Sequence, residues 1–109
     1  MNTKNEYVLG RQGDVLVKKV ESIPAAAKQQ DPEKGRFKIE DGEATGHAHA
    51  VKEEEGISMF IDGGVKYLQV GIATALTHEE HSPITLEPGI YEFRRQREYS
   101  PESIRYVLD

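Results

Sequence analysis

With 109 residues and no cysteine, the chain has room for one hydrophobic core, and disulfides, thiolate metal sites and cysteine nucleophiles are excluded. Hydrophobic residues at 37% and charged residues at 30% make a globular composition, so residues 1–109 are expected to form a single β domain. Nineteen acidic against 14 basic side chains give a net charge of −5, which opposes tight binding to a phosphate backbone and disfavours a nucleic-acid partner.

In chain order, Asp14 to Val20 is rich in β-branched residues after the Gln12-Gly13 turn, and Arg36 to Glu40 alternates around Phe37 and Ile39. Between them, Gln29 to Gly35 is polar and turn-rich, a surface loop. Thr45 to Lys52 and Ile57 to Ile61 are the next strands, the second ending at Asp62-Gly-Gly64, a hairpin signal. Lys66 to Leu76 places Leu68, Val70, Ile72 and Leu76 at even positions, one face of a single strand. Pro83 to Leu86 leads to Pro88-Gly89, which has the residues of a type II turn. Ile90 to Tyr99 is the longest strand candidate. Residues 100–109 fit either a short helix or a terminal strand, and alternation of Ile104, Tyr106 and Leu108 favours the strand. Frequent turns with little helical periodicity predict an all-β fold, a small antiparallel sandwich or barrel. No apolar run approaches the ~20 residues of a membrane helix. The polar start, Met1 to Glu6, lacks the apolar core of a signal peptide, so the expectation is a cytoplasmic protein with no membrane partner.

All four histidines fall in two pairs, His47 with His49 and His78 with His81. On a strand, i and i+2 side chains share a face, so His47 and His49 can converge on one ion. Thr77-His-Glu-Glu80 fits a capping box, and one helical turn there would bring His78 and His81 to the same side. Neutral imidazole is the commonest protein ligand for transition metals. A site of two or three histidines with one of Glu53, Glu79 or Glu80 suits divalent zinc, iron, manganese or nickel. His47, His49 and His81 lead this set, and His78 completes it. The plainer alternative is hydrogen-bonding strand histidines beside a solvated loop.

Gly42, His47-Ala-His49, Glu53 and Gly56 resemble a compressed first cupin motif, which implies a metal held by two histidines and a glutamate inside a small β-barrel. The counterpart of the second motif is missing, because no histidine follows Pro88-Gly89. A longer resemblance, carried by Arg11-Gln-Gly-Asp-Val-Leu16, Gly42 to His49, His78 to His81 and Arg95-Gln-Arg-Glu-Tyr-Ser-Pro101, is to a family of small uncharacterised proteins of bacteria and their phages. It implies no activity and no catalytic residues.

Tyr91, Phe93, Arg95, Arg97 and Tyr99 would share one strand face, continuing an aromatic surface with two guanidinium groups. An unpaired buried arginine is costly, so Arg95 and Arg97 must meet carboxylates, with Glu79 and Glu80 as candidates, or, together with Tyr99, an anion or partner. No nucleophile elbow, phosphate loop, zincin helix or dinucleotide fingerprint is present, so whether the protein is an enzyme stays open. The function expected is a histidine-rich metal or polar ligand site taking a small molecule of unknown identity. The alternative is a non-catalytic, homo-oligomeric bacterial or phage assembly factor with structural histidines.

Overall fold

The computed structural model describes residues 6–42 and 46–95. Ten strands occur there, all paired antiparallel: β1 (Tyr7–Gln12), β2 (Val15–Val20), β3 (Lys28–Gln30), β4 (Arg36–Asp41), β5 (Ala48–Lys52), β6 (Ile57–Asp62), β7 (Val65–Val70), β8 (Thr74–Thr77), β9 (Ile84–Leu86) and β10 (Gly89–Arg95). They form a six-stranded sheet ordered β1-β2-β10-β7-β6-β3 and a four-stranded sheet ordered β4-β5-β8-β9. The all-β sandwich expected from the turn spacing is the fold observed. Among the described residues, no helix is long and apolar enough to cross a membrane.

Two tight hairpins set the register of the larger sheet. Gly63 and Gly64 both have positive φ (59° and 86°) between the paired residues Asp62 and Val65, the backbone that a twist-matched two-residue hairpin loop demands. Gly13, φ 59°, turns β1 into β2. Strand alternation then points Val15, Val17, Leu68, Val70, Tyr91 and Phe93 at Phe37, Ile39, Val51, Leu76 and Leu86, and this cluster is the core.

Several expected elements change once the two sheets are formed. The single strand over Lys66 to Leu76 is two strands, because the chain leaves one sheet after Val70 and enters the other at Thr74. Gly71 makes that crossing beside Gly56: its amide donates to the Gly56 carbonyl at 2.7 Å, and a Cβ on Gly71 would lie 2.9 Å from the same oxygen. Ile72, expected on the buried face, is therefore 45% exposed. Part of the Gln29 to Gly35 loop is strand, since Lys28–Gln30 extends the sheet edge along β6. Gly89 does not occupy a type II turn. With φ 155° it is the first residue of β10 and pairs with Val70. The expected strand over Ile90 to Tyr99 is described only to Arg95, so Arg97, Tyr99 and the helix-or-strand choice for residues 100–109 lie outside the described residues.

Candidate metal centre

The site grows from one antiparallel ladder. Ala50 pairs with Thr77 and Val51 with Leu76. Continuing that register sets His49 opposite His78, Ala48 opposite Glu79 and His47 opposite Glu80. The chain leaves the strand for a bend at these residues, yet the contacts still link the opposed positions. The His49 and His78 rings are 4.4 Å apart, the Ala48 amide donates to Glu79 Oε1 at 3.0 Å, and Glu80 Oε2 lies 3.6 Å from His47 Nδ1. His81 completes the group, 4.6 Å from His78 and 6.1 Å from His49 by ring centroid, and His47 is 5.7 Å from His78. Two imidazoles on one ion, each nitrogen ~2.1 Å from it, have centroids about 4.5–6 Å apart. His78 stands at about that spacing from each of the other three rings.

The turn that gathers His78 and His81 is not the expected helical one. Thr77 stays in β8 and its hydroxyl donates to the Ala50 carbonyl at 3.2 Å, so it does not cap Glu80. The Glu80 amide donates instead to His78 Nδ1 at 3.0 Å. The long-range ladder claims the residue that the local capping pattern needed.

The larger sheet supplies the wall behind His49. Gln12, almost wholly buried at the end of β1, donates both amide hydrogens, to the Leu76 and Ser82 carbonyls at 2.9 Å each. Its Oε1 therefore faces His49 Nδ1 at 2.8 Å and can only accept. This fixes the proton of His49 on Nδ1 and leaves the Nε2 lone pair toward Asp14 Oδ1, 3.9 Å away. Burial, then His78, holds the His49 imidazole below its ordinary value of 6.5, with Asp14 opposing. The folded protein thus binds fewer protons at His49 than the unfolded chain once pH drops below about 6.5. Stability contributed by neutral His49 is expected to be full above that value and to fall as the solution is acidified toward pH 5. A melting temperature flat from pH 7 to 5 would contradict it. The amide bond from Ala48 holds the Glu79 carboxyl below its ordinary 4.5, keeping it ionised across that range.

Glycines leave room for the rings. A Cβ on Gly42 would meet His78 Nε2 at 2.5 Å and His47 Cβ at 3.0 Å, and one on Gly13 would meet His81 Nε2 at 3.0 Å. Gly42→Ala is expected to displace His78 and weaken zinc binding about tenfold or more, as loss of ligand orientation does, with little change in melting temperature. Equal zinc affinity in calorimetry would show that the ring position is not critical.

Of the expected carboxylates, Glu79 and Glu80 reach the histidines and Glu53 does not. Glu53 follows the opposite end of β5, where its amide donates to the Gly35 carbonyl at 2.9 Å, and it lines a cleft with Gln29, Pro32, Phe37, Glu54 and Ile57. Arg95 pairs not with Glu79 or Glu80 but with Glu40 (3.3 Å) and Asp14 (3.8 Å). Both contacts run through Nε, which makes no hydrogen bond there. Arg95→Met is expected to lower stability by about 1–2 kcal/mol in urea unfolding, since it strands partly buried carboxylates, while zinc stoichiometry is kept. Gln12, Asp14 and Glu40 are site residues that the spacing of histidines did not indicate.

The family comparison matches residues 11–96, which span the ladder, the Gln12 wall and Arg95, to a domain of unknown function, DUF8820. The chain belongs to that family. No curated protein and no solved structure matches. Nothing in the DUF8820 match connects the chain to cupins or to phages.

Proposed function

We propose that this DUF8820 protein binds one divalent transition-metal ion through His47, His78 and Glu79. One observation carries the reading: these three side chains bring a ligand atom each to within 4.8 Å of one another. Tetrahedral ligation at ~2.1 Å asks for separations of about 3.4 Å, so a contraction of up to about 1.4 Å completes the set. Charge favours a cation, because Asp14, Glu40, Glu79 and Glu80 surround the histidines and Arg95 is already shared by the first two. Two histidines and one carboxylate suit zinc or ferrous iron, and manganese or nickel are the further candidates. Three protein ligands leave coordination positions open, the arrangement that polarises water or a small ligand. His49, held by Gln12, packs against the ligand His78. Elemental analysis of purified protein should give one ion per chain, and no uptake of zinc, iron, manganese or nickel after dialysis would overturn the reading.

An assembly role rests on a different observation. Tyr7, Val8 and Leu9 are 52%, 56% and 36% exposed on β1, an edge strand. An exposed apolar edge is a template for strand pairing, and self-association through β1 would give a dimer mass in light scattering. A monomer at high concentration removes this role.

A further inference from the structure

Resting on the metal reading above, the geometry points to Glu80 as a positioning residue that exchanges partners when the ion binds, giving up the amide bond to His78 and closing its carboxylate on His47.

Two observations each call for Glu80 to move, one at its main-chain amide and one at its carboxylate. The first is at His78. A neutral imidazole has one N–H and one lone pair, and the Glu80 amide takes the Nδ1 lone pair, so the proton of His78 sits on Nε2. No nitrogen of His78 is then available to an ion. Ligation through Nδ1 displaces the Glu80 amide outright. Ligation through Nε2 moves the proton to Nδ1, where it would face the Glu80 N–H at 3.0 Å, donor against donor. On either route the amide must leave.

The second observation is at His47. Its Nδ1 is shut away from solvent without a hydrogen-bond partner, and Glu80 Oε2 stands 3.6 Å off, beyond hydrogen-bond length. Histidines that ligate metals almost always donate their other N–H to a carboxylate, carbonyl or water, which fixes the tautomer and raises ligand basicity. A shift of Glu80 by under about 1 Å would supply that partner and commit His47 to ligation through Nε2. Glu79 keeps its own anchor on the Ala48 amide, so the turn has a fixed point about which Glu80 can move. Glu80 therefore belongs outside the ligand set, although it was an expected ligand.

The test uses full-length nitrogen-15-labelled protein titrated with Zn²⁺, following histidine tautomers by long-range proton–nitrogen correlation and affinity by competition with a chelator. The expected result is that His78 changes from Nε2–H to zinc-bound as the Glu80 amide resonance moves, and that His47 becomes an Nδ1–H donor. Glu80→Ala should weaken zinc about 10–100-fold, the usual effect of losing an outer-sphere partner, and Glu80→Gln, which keeps an acceptor oxygen, should recover most of that loss. A wild-type protein that takes up no zinc overturns the metal reading and this inference together. Zinc uptake with an unshifted Glu80 amide, or with Glu80→Ala binding as tightly as wild type, overturns the exchange alone.

Discussion

Replacing His47, His78 or Glu79 with alanine is expected to abolish stoichiometric zinc. A site of three protein ligands that loses one keeps too few to hold the ion, so affinity should fall by roughly two orders of magnitude or more. A double replacement within the set should add little, because both ligands serve one ion. Glu53→Ala is the matched control, since Glu53 lines a different cleft, and it should bind zinc as wild type does. His49 and His81 separate two arrangements. Loss of zinc in His49→Ala or His81→Ala would enlarge the ligand set to the whole cluster, whereas retained stoichiometry confines it to the compact three. Full zinc loading of His47→Ala together with His78→Ala would remove the site.

The largest stability loss is expected from Gln12→Leu. The substitution preserves side-chain volume but leaves the Leu76 carbonyl and His49 Nδ1 buried without the partner they now have, and the carbonyl of exposed Ser82 to water. Each buried orphan costs ~1–3 kcal/mol, so the variant should lose about 2–6 kcal/mol, a fall in melting temperature of roughly 10–30 °C for a domain of this size. The His49 tautomer should also become mixed, visible by nitrogen chemical shift. A melting temperature within about 3 °C of wild type would mean that water replaces the amide and that Gln12 does not brace the two sheets.

Much of the fold was legible locally. Strands β4 and β6 stand almost where alternation and the Asp62-Gly-Gly64 turn set them, because hairpin chemistry is a property of adjacent residues. The histidines were legible as two clusters, but the i, i+2 argument for His47 and His49 was not what grouped them, since His47 precedes β5 and it is His78 and Glu79 that stand nearest to it. What could not be read was pairing. Nothing in Lys66 to Leu76 shows that the chain changes sheets at Gly71, since the constraint there is the carbonyl of Gly56, 15 residues earlier. Thr77 carried a valid capping pattern, and the β5 partner outbid it. Gln12, at a turn by sequence, gained its role only when β1 was laid across the ends of β8 and β5. A buried glutamine beside a hairpin glycine was the one available sign, and it becomes informative only once the opposing sheet is known.

The ladder between β5 and β8 has two registered pairs, Ala50 with Thr77 and Val51 with Leu76, and all three proposed ligands hang from its open end. Residues 78–80 leave β8 as a bend, which lets adjacent His78 and Glu79 reach the same site, and a slip by a single residue in the ladder would carry that whole bend out of line with His47. The ladder thereby partitions where length can be expected to vary. The crossing at residues 71–73, between strands, can lengthen or shorten without touching the ligands, because the ladder re-forms on the far side. An insertion or deletion between Thr77 and Glu79, or between His47 and Ala50, cannot be absorbed in that way. The spacer lengths within Gly46–Val51 and Leu76–His81 form a ruler, and a homologue that changes either one while keeping its histidines would have to build the centre by some other alignment of strands.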